Sequence, residues 1–275
     1  MATIKQESGA LRFLYHNPFG RLILKLLTAR WISKVCGAFM NSRLSKPMIG
    51  RFIRKNNIDM SQYQPADYPC FNDCFCRKIK PELRPIPTDP SVLIAPCDGL
   101  LSVFPIQNDT VIPIKQSRCT IADLLQNEPL AQEFQDGVCL VFRLCVHHYH
   151  RYCYPVSGTK GENVFLPGKL HTVRPIALEA GPVFTQNCRE YTLMTCEPFG
   201  KLVQMEVGAM LVGKIANHHG AGEITRGQEK GMFLYGGSTV VLLLQKDKVT
   251  LDPTFAQATE QGEETPVIMG QVLSV

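Results

Sequence analysis

The sequence predicts an α+β protein, in which N-terminal helices pack on a β-rich, sandwich-like body. Three observations carry this. Hydrophobic residues make up 45% of the 275 residues, enough to bury a core and too many for a disordered chain. Basic residues recur at helical spacing near the N-terminus. Beyond residue 90 the pattern changes to short β-branched or apolar runs bounded by Gly, Pro or Asn.

The helical part comes first. Arg21, Lys25, Arg30 and Lys34 recur at steps of four and five, with Leu22, Leu26, Leu27, Ile32, Val35 and Phe39 between them and Trp31 as an aromatic anchor. That pattern predicts an amphipathic helix over Phe19–Met40 and a second basic one near Met48–Lys55. Residues 1–60 hold eleven Lys/Arg against Glu7 and Asp59, a balance of +9, which leaves −4 for the rest of a chain whose formal net charge is +5. A basic amphipathic end on a mildly acidic body suits an anionic membrane surface, or equally a helix packed on its own domain. No signal peptide is visible, and no apolar run reaches the about 18 residues a spanning helix needs. Peripheral association is therefore expected, on the cytoplasmic face of the cell membrane.

Gln64 to Pro96 is rich in proline and turn signals. Strands are expected at Ser91–Ala95, Gly137–Val146, Tyr191–Cys196, Leu202–Val207, Ala209–Ile215 and Thr239–Leu244. One helix is expected at Thr120–Phe134, opened by Thr120. The tail after Asp252 is polar and weakly patterned. Eleven cysteines without a C-x-x-C pair speak for a reducing compartment. Cys70, Cys74 and Cys76 have an atypical spacing for zinc and read as small buried hydrophobes. His147, His148 and His150 lack a Cys or Asp partner at a familiar spacing, so no metal site is expected.

Four segments carry chemistry. Gly236-Gly237-Ser238-Thr239 precedes an apolar run; two glycines allow Ser238 Oγ to approach the preceding carbonyl, which an N-to-O acyl shift needs, although a plain turn fits as well. Pro96-Cys97-Asp98-Gly99 is an Asp-Gly turn. Tyr149-His150-Arg151 and the turn-and-strand segment Pro167–Val173, with His171, add imidazoles.

Together these resemble the phosphatidylserine decarboxylase family, over roughly residues 65–245. The order matches: Phe71-Asn-Asp-Cys-Phe-Cys-Arg77, Arg84-Pro85-Ile86, Pro96–Gly99, Tyr149-His150-Arg151, Phe199-Gly200, Val207-Gly208-Ala209, Val212-Gly213, then Gly-Ser-Thr. The resemblance implies self-cleavage between Gly237 and Ser238 into a β chain (1–237) and an α chain (238–275), and conversion of Ser238 into a covalent pyruvoyl group. It further implies decarboxylation of phosphatidylserine to phosphatidylethanolamine, an electron-sink chemistry. The two chains would form a heterodimer, with a dimer of these heterodimers as a further option, and residues 1–60 would be the membrane-associating region before a catalytic domain at 61–275. Either His150 or, second, His171 would deprotonate Ser238, with Asp98 orienting the imidazole. Cys153 stands where many members carry a second histidine, and His148 where many carry an acid. A decarboxylase of a soluble amino acid and a lipid-binding protein that no longer cleaves are the alternatives.

Overall fold

A computed structural model describes residues 9–27, 30–107, 112–114, 117–169, 183–209, 214–235 and 238–275. The architecture is α+β. Helices at Gly9–His16, Pro18–Leu27, Arg30–Met40 and Met48–Lys55 precede the β body. Met40, Ile49 and Phe52 pack on Phe71, Phe75 and Cys76, and this cluster also takes in Met232, Leu234 and Tyr235. Cys70, Cys74 and Cys76 are buried, as their apolar setting predicts.

Among the described residues fourteen strands follow: β1 (Gly99–Pro105), β2 (Ile112–Ile114), β3 (Ser117–Cys119), β4 (Val138–Leu144), β5 (Arg151–Cys153), β6 (Gly158–Lys160), β7 (Val164–Leu166), β8 (Arg189–Cys196), β9 (Gly200–Val207), β10 (Ile215–Asn217), β11 (Gly222–Ile224), β12 (Glu229–Phe233), β13 (Ser238–Leu244) and β14 (Thr265–Val267). The main sheet runs β11-β6-β8-β9-β13-β4-β1-β14, with β7 on β8; β10-β12-β5 form a second sheet and β2-β3 a hairpin. Strand β13 lies between β9 and β4 and is buried on both faces. Val240 and Leu242 join one cluster with Phe142, Tyr152 and Phe233, and Val241 and Leu243 another with Val203, Met205 and Phe134. Burial on both faces explains the unbroken Val-Val-Leu-Leu-Leu run. The two sheets are tied by a fully buried ion pair, Lys230 Nζ to Glu206 Oε2 at 2.5 Å, with Asn217 bonded to both. Burial pushes the Glu206 carboxyl up and the Lys230 amine down.

Three expectations need correction. The helix expected at Thr120–Phe134 is two short ones, Ile121–Leu125 and Glu128–Gln132, separated by a left-handed Gln126 (φ 50°). Thr120 does open the first, accepting the Asp123 N–H at 3.0 Å. Pro129 forbids continuity, because its ring would clash with the Leu125 carbonyl. Ser91–Ala95 is not a strand but an extended segment joined to the tail by an Ile94–Val272 bridge. The tail itself is structured: a helix at Pro253–Glu260, then β14 paired with β1, then Leu273 N–H to the Leu93 carbonyl at 2.8 Å. Gly270 is obligatory there, at φ 89° and with the Pro85 carbonyl oxygen only 2.6 Å from where a Cβ would sit.

Candidate active site

The site forms around the C-terminal end of β4. On one side Ser238, first residue of β13, pairs with Leu144. On the other, Leu100 of β1 pairs with Arg143, and Asp98 immediately precedes β1. After Leu144 the chain turns, with the His148 N–H bonded to the Cys145 carbonyl at 2.9 Å, and returns through His150 into β5. There the Phe233 N–H, at the end of β12, donates to the His150 carbonyl at 2.9 Å. The polypeptide on either side of Gly236-Gly237 thus belongs to two different sheets. The topology brings Asp98, His150 and the start of β13 to the same end of β4. The glycines, the Ser238 side chain and His171 lie outside the described residues.

His150 is fully buried, its ring 3.9 Å from that of Phe75. Its Nδ1 lies 2.9 Å from the His148 carbonyl oxygen, which can only accept. The proton therefore sits on Nδ1, and Nε2 is a bare lone pair, buried and without a partner among the described residues. Burial, and secondarily the Arg77 charge, holds the ring well below the usual imidazole range. His148 is arranged the other way round. The Cys145 backbone N–H donates to its Nδ1 at 3.0 Å, so the neutral ring carries its proton on Nε2. Burial and the neighbouring His147 lower its pKa to about 4, with Asp98 acting in the opposite direction.

Asp98 is buried, and among the described residues it accepts hydrogen bonds from Arg84 and a backbone amide, not from an imidazole. Arg84 Nε and Nη2 donate to its two oxygens at 2.8 and 2.5 Å, and the Met269 N–H donates to Oδ1 at 2.9 Å. Burial lowers the affinity of the Arg84 guanidinium for its proton, but the bonds it donates to Asp98 and the carboxylate's charge more than reverse this. Cys153 is buried beside this turn, its N–H bonded to the Pro96 carbonyl at 2.8 Å. Burial pushes its thiol up to about 12, so it is neither a nucleophile nor a base at neutral pH. Arg84, the Met269 amide and the His148 ring were not singled out as site groups by the sequence. Arg84 stood in the Arg-Pro-Ile element, His148 in the histidine run, and the amide left no signal.

Residues 71–274 match the phosphatidylserine decarboxylase family model, a span that includes Asp98, His150 and Ser238. The chain belongs to the phosphatidylserine decarboxylase family. Among its relatives, the phosphatidylserine decarboxylase proenzyme 2 of Clostridium acetobutylicum is 41% identical over 266 residues, covering 96% of this chain and 91% of that protein. Phosphatidylserine decarboxylase proenzymes of Clostridium botulinum and Clostridium perfringens are each 38% identical, over 271 and 278 residues; they cover 96% and 98% of this chain and are themselves covered over 92% and 95%. The match to these family members is nearly end to end and takes in the N-terminal helices as well as the β body.

Proposed function

We propose that the chain is a proenzyme that cuts itself between Gly237 and Ser238, and that the mature form decarboxylates phosphatidylserine to phosphatidylethanolamine and CO2. One observation carries the reading. Gly236-Gly237-Ser238-Thr239 enters a central buried strand, in a chain whose relatives over nearly its whole length are named phosphatidylserine decarboxylase proenzymes. His150 Nε2 takes the Ser238 Oγ proton, and Oγ attacks the Gly237 carbonyl carbon. The C–N bond breaks as the proton passes to the amide nitrogen, leaving an ester. Loss of the Ser238 Cα proton expels the Gly237 carboxylate and leaves dehydroalanine at 238. Tautomerisation and addition of water release ammonia and leave a ketone, the pyruvoyl group.

The residues present fit that group: Ser238 opens a strand, and the buried imidazole lone pair of His150 has no partner among the described residues. Once formed, the pyruvoyl group supplies an electron sink for loss of CO2 from an amine substrate. Chains 1–237 and 238–275 remain one body, because β13 is held by β9 and β4, and β14 by β1. Met269, in the shorter chain, holds Asp98 of the longer one. Asp98 in turn raises the His148 pKa, against the larger lowering by burial and His147. Purified protein incubated with phosphatidylserine vesicles should release CO2 and form phosphatidylethanolamine. Decarboxylation of free serine with the lipid left untouched would move the substrate to a soluble amino acid.

Residues 1–60 would be the membrane-associating region, and 61–275 the catalytic domain. Phe13, Phe19, Leu22, Val35, Phe39 and Leu44 are exposed among Arg12, Arg21, Lys34 and Arg43. No helix among the described residues is long and apolar enough to cross a membrane. A surface that mixes apolar and basic groups suits the interface with anionic lipid. Each basic residue near such a surface contributes about 1 kcal/mol, screened over about 8 Å at physiological salt. Binding to anionic vesicles should therefore weaken with added salt but persist in part through the apolar side chains. Sedimentation that is absent, or indifferent to salt, would refute this.

A further inference from the structure

We propose that the cleft between the N-terminal region and the second sheet is the headgroup site of the lipid: Arg151 and Lys78 hold its phosphodiester anion, above the buried charge of Arg77. The inference deepens the decarboxylase reading above and rests on it. The cleft has a volume of about 600 Å³, within the range of small-molecule sites. Asn41 and Asn72 line it on the helical side, and Arg151, Met232 and Leu234 on the sheet side. The register fixes which face Arg151 occupies. It pairs with Met232, and paired residues of an antiparallel ladder point to the same face. Met232 packs on the cluster of Met40, Phe71 and Phe75, so the Arg151 side chain rises on that side too. There its Nε donates to the Cys76 carbonyl at 2.7 Å and its Nη1 to Glu229 Oε1 at 2.7 Å. Its Nη2 has no partner among the described residues. A guanidinium pinned at two nitrogens, with the third open, is a pre-oriented donor for a phosphate oxygen.

The charges around the cleft match such a ligand. Asp67 is answered by Lys46, and Arg151 by Glu229. Arg77, Lys78 and Asp73 have no ion-pair partner among the described residues, which leaves two cations against one anion. A phosphoserine headgroup carries the complement, two anions and one cation. Arg77 is buried and bonds only neutral groups, the Cys74 and His147 carbonyls and the Tyr63 hydroxyl, and its Nε has no partner among the described residues. A buried cation without a counter-ion is unfavourable, and an anion in the cleft supplies one. Because Arg77 is covered, it acts through its field, and contact falls to Arg151 and the exposed Lys78. The cleft also lies where a lipid has to react. Asn41 on its wall stands between the exposed Phe39 and Leu44, part of the surface assigned to the membrane. On the opposite side the Tyr235 N–H donates to Asn72 Oδ1 at 2.9 Å, and three further residues, at most about 11 Å of chain, reach the start of β13. Arg151 itself directly follows His150.

Lys78→Gln should raise the KM of the mature enzyme for dispersed short-chain phosphatidylserine by about tenfold, the worth of one charge-assisted hydrogen bond, with a much smaller change in kcat. Lys80→Gln removes a charge two residues away, outside the cleft, and should leave KM where it is. An unchanged KM for Lys78→Gln overturns the proposal, as does an equal rise for Lys80→Gln, which would make the effect one of general surface charge. Arg151→Gln should raise KM at least as far; where that protein fails to fold, the comparison of Lys78→Gln with Lys80→Gln decides. Binding without turnover separates a headgroup from free phosphate. In a nuclear magnetic resonance titration of the intact Ser238→Ala precursor, glycerophosphoserine should bind more tightly than inorganic phosphate, and about tenfold more weakly once Lys78→Gln is added. Equal affinity for inorganic phosphate, or no binding of glycerophosphoserine, overturns the headgroup assignment. A wild-type protein that leaves phosphatidylserine untouched sinks the decarboxylase reading itself, whereas a wild type that turns it over beside a Lys78→Gln protein of the same KM sinks this inference alone.

Discussion

Ser238→Ala should remain a single chain of 275 residues under denaturing conditions, while the wild type separates into two, the smaller one spanning 238–275 with an N-terminus blocked to stepwise sequencing. The expected effect is complete, because the substitution removes the attacking oxygen and leaves the rest in place. Strand β13 is held through its backbone to β4 and β9, so loss of one hydroxyl at its first position leaves both ladders intact. The next hydroxyl along the chain, Thr239 Oγ1, is buried with no hydrogen-bond partner among the described residues and precedes a valine; attack by it would cut one residue later. Intact mass therefore distinguishes a serine-specific reaction from proteolysis at an exposed turn. A wild-type chain that decarboxylates lipid while staying whole would remove the pyruvoyl mechanism altogether.

The sequence exposes those parts of the fold in which side-chain chemistry and burial agree. Strands β4, β8, β9 and β13 are legible because their apolar runs fill two-faced cores. Strand β12 is not among the expected strands, because Glu229-Lys230-Gly231 interrupts any apolar run. Yet Lys230 is fully buried against Glu206, and Gly231 is fixed by the Ala216 carbonyl oxygen, 2.4 Å from where a Cβ would sit. The tail was missed for a related reason. It docks by backbone bonds, Ala95 N–H to the Gln271 carbonyl and Leu273 N–H to the Leu93 carbonyl, and such bonds leave no hydropathy pattern. At the site, Ser238, Asp98 and His150 were legible as motif residues. The surroundings of His150 and Asp98 were not, because His150 is oriented by the His148 carbonyl and Asp98 is held in part by the Met269 amide, backbone groups that any residue type would supply.

His150→Ala should slow cleavage by about 10²–10⁴-fold, the usual contribution of a positioned general base. His150 is favoured over His171 because its Nε2 is a buried lone pair with no partner among the described residues, immediately before β5, which pairs with β12, the strand leading to the scissile bond. The pH dependence sharpens the test. Burial, with Arg77 second, depresses the His150 pKa, so the ring stays a base through the ordinary imidazole range near 6.5. The cleavage rate should be level across that range and fall only at lower pH. Stability should behave differently. Unfolded histidines take up a proton near 6.5, and folded His148 and His150 refuse it, so the unfolded state binds more protons as pH drops. The contribution is fully present above about 6.5 and is lost as pH falls, for His148 down to about 4. Unfolding midpoints should thus begin to decline at a pH where the cleavage rate still holds. A rate that tracks an ordinary imidazole titration would point to a more exposed base. If His171→Ala stays whole while His150→Ala cuts at the wild-type rate, the Ser238 proton goes to His171. The bare Nε2 of His150 would then serve only the decarboxylation, which can be assayed on the matured His150→Ala protein.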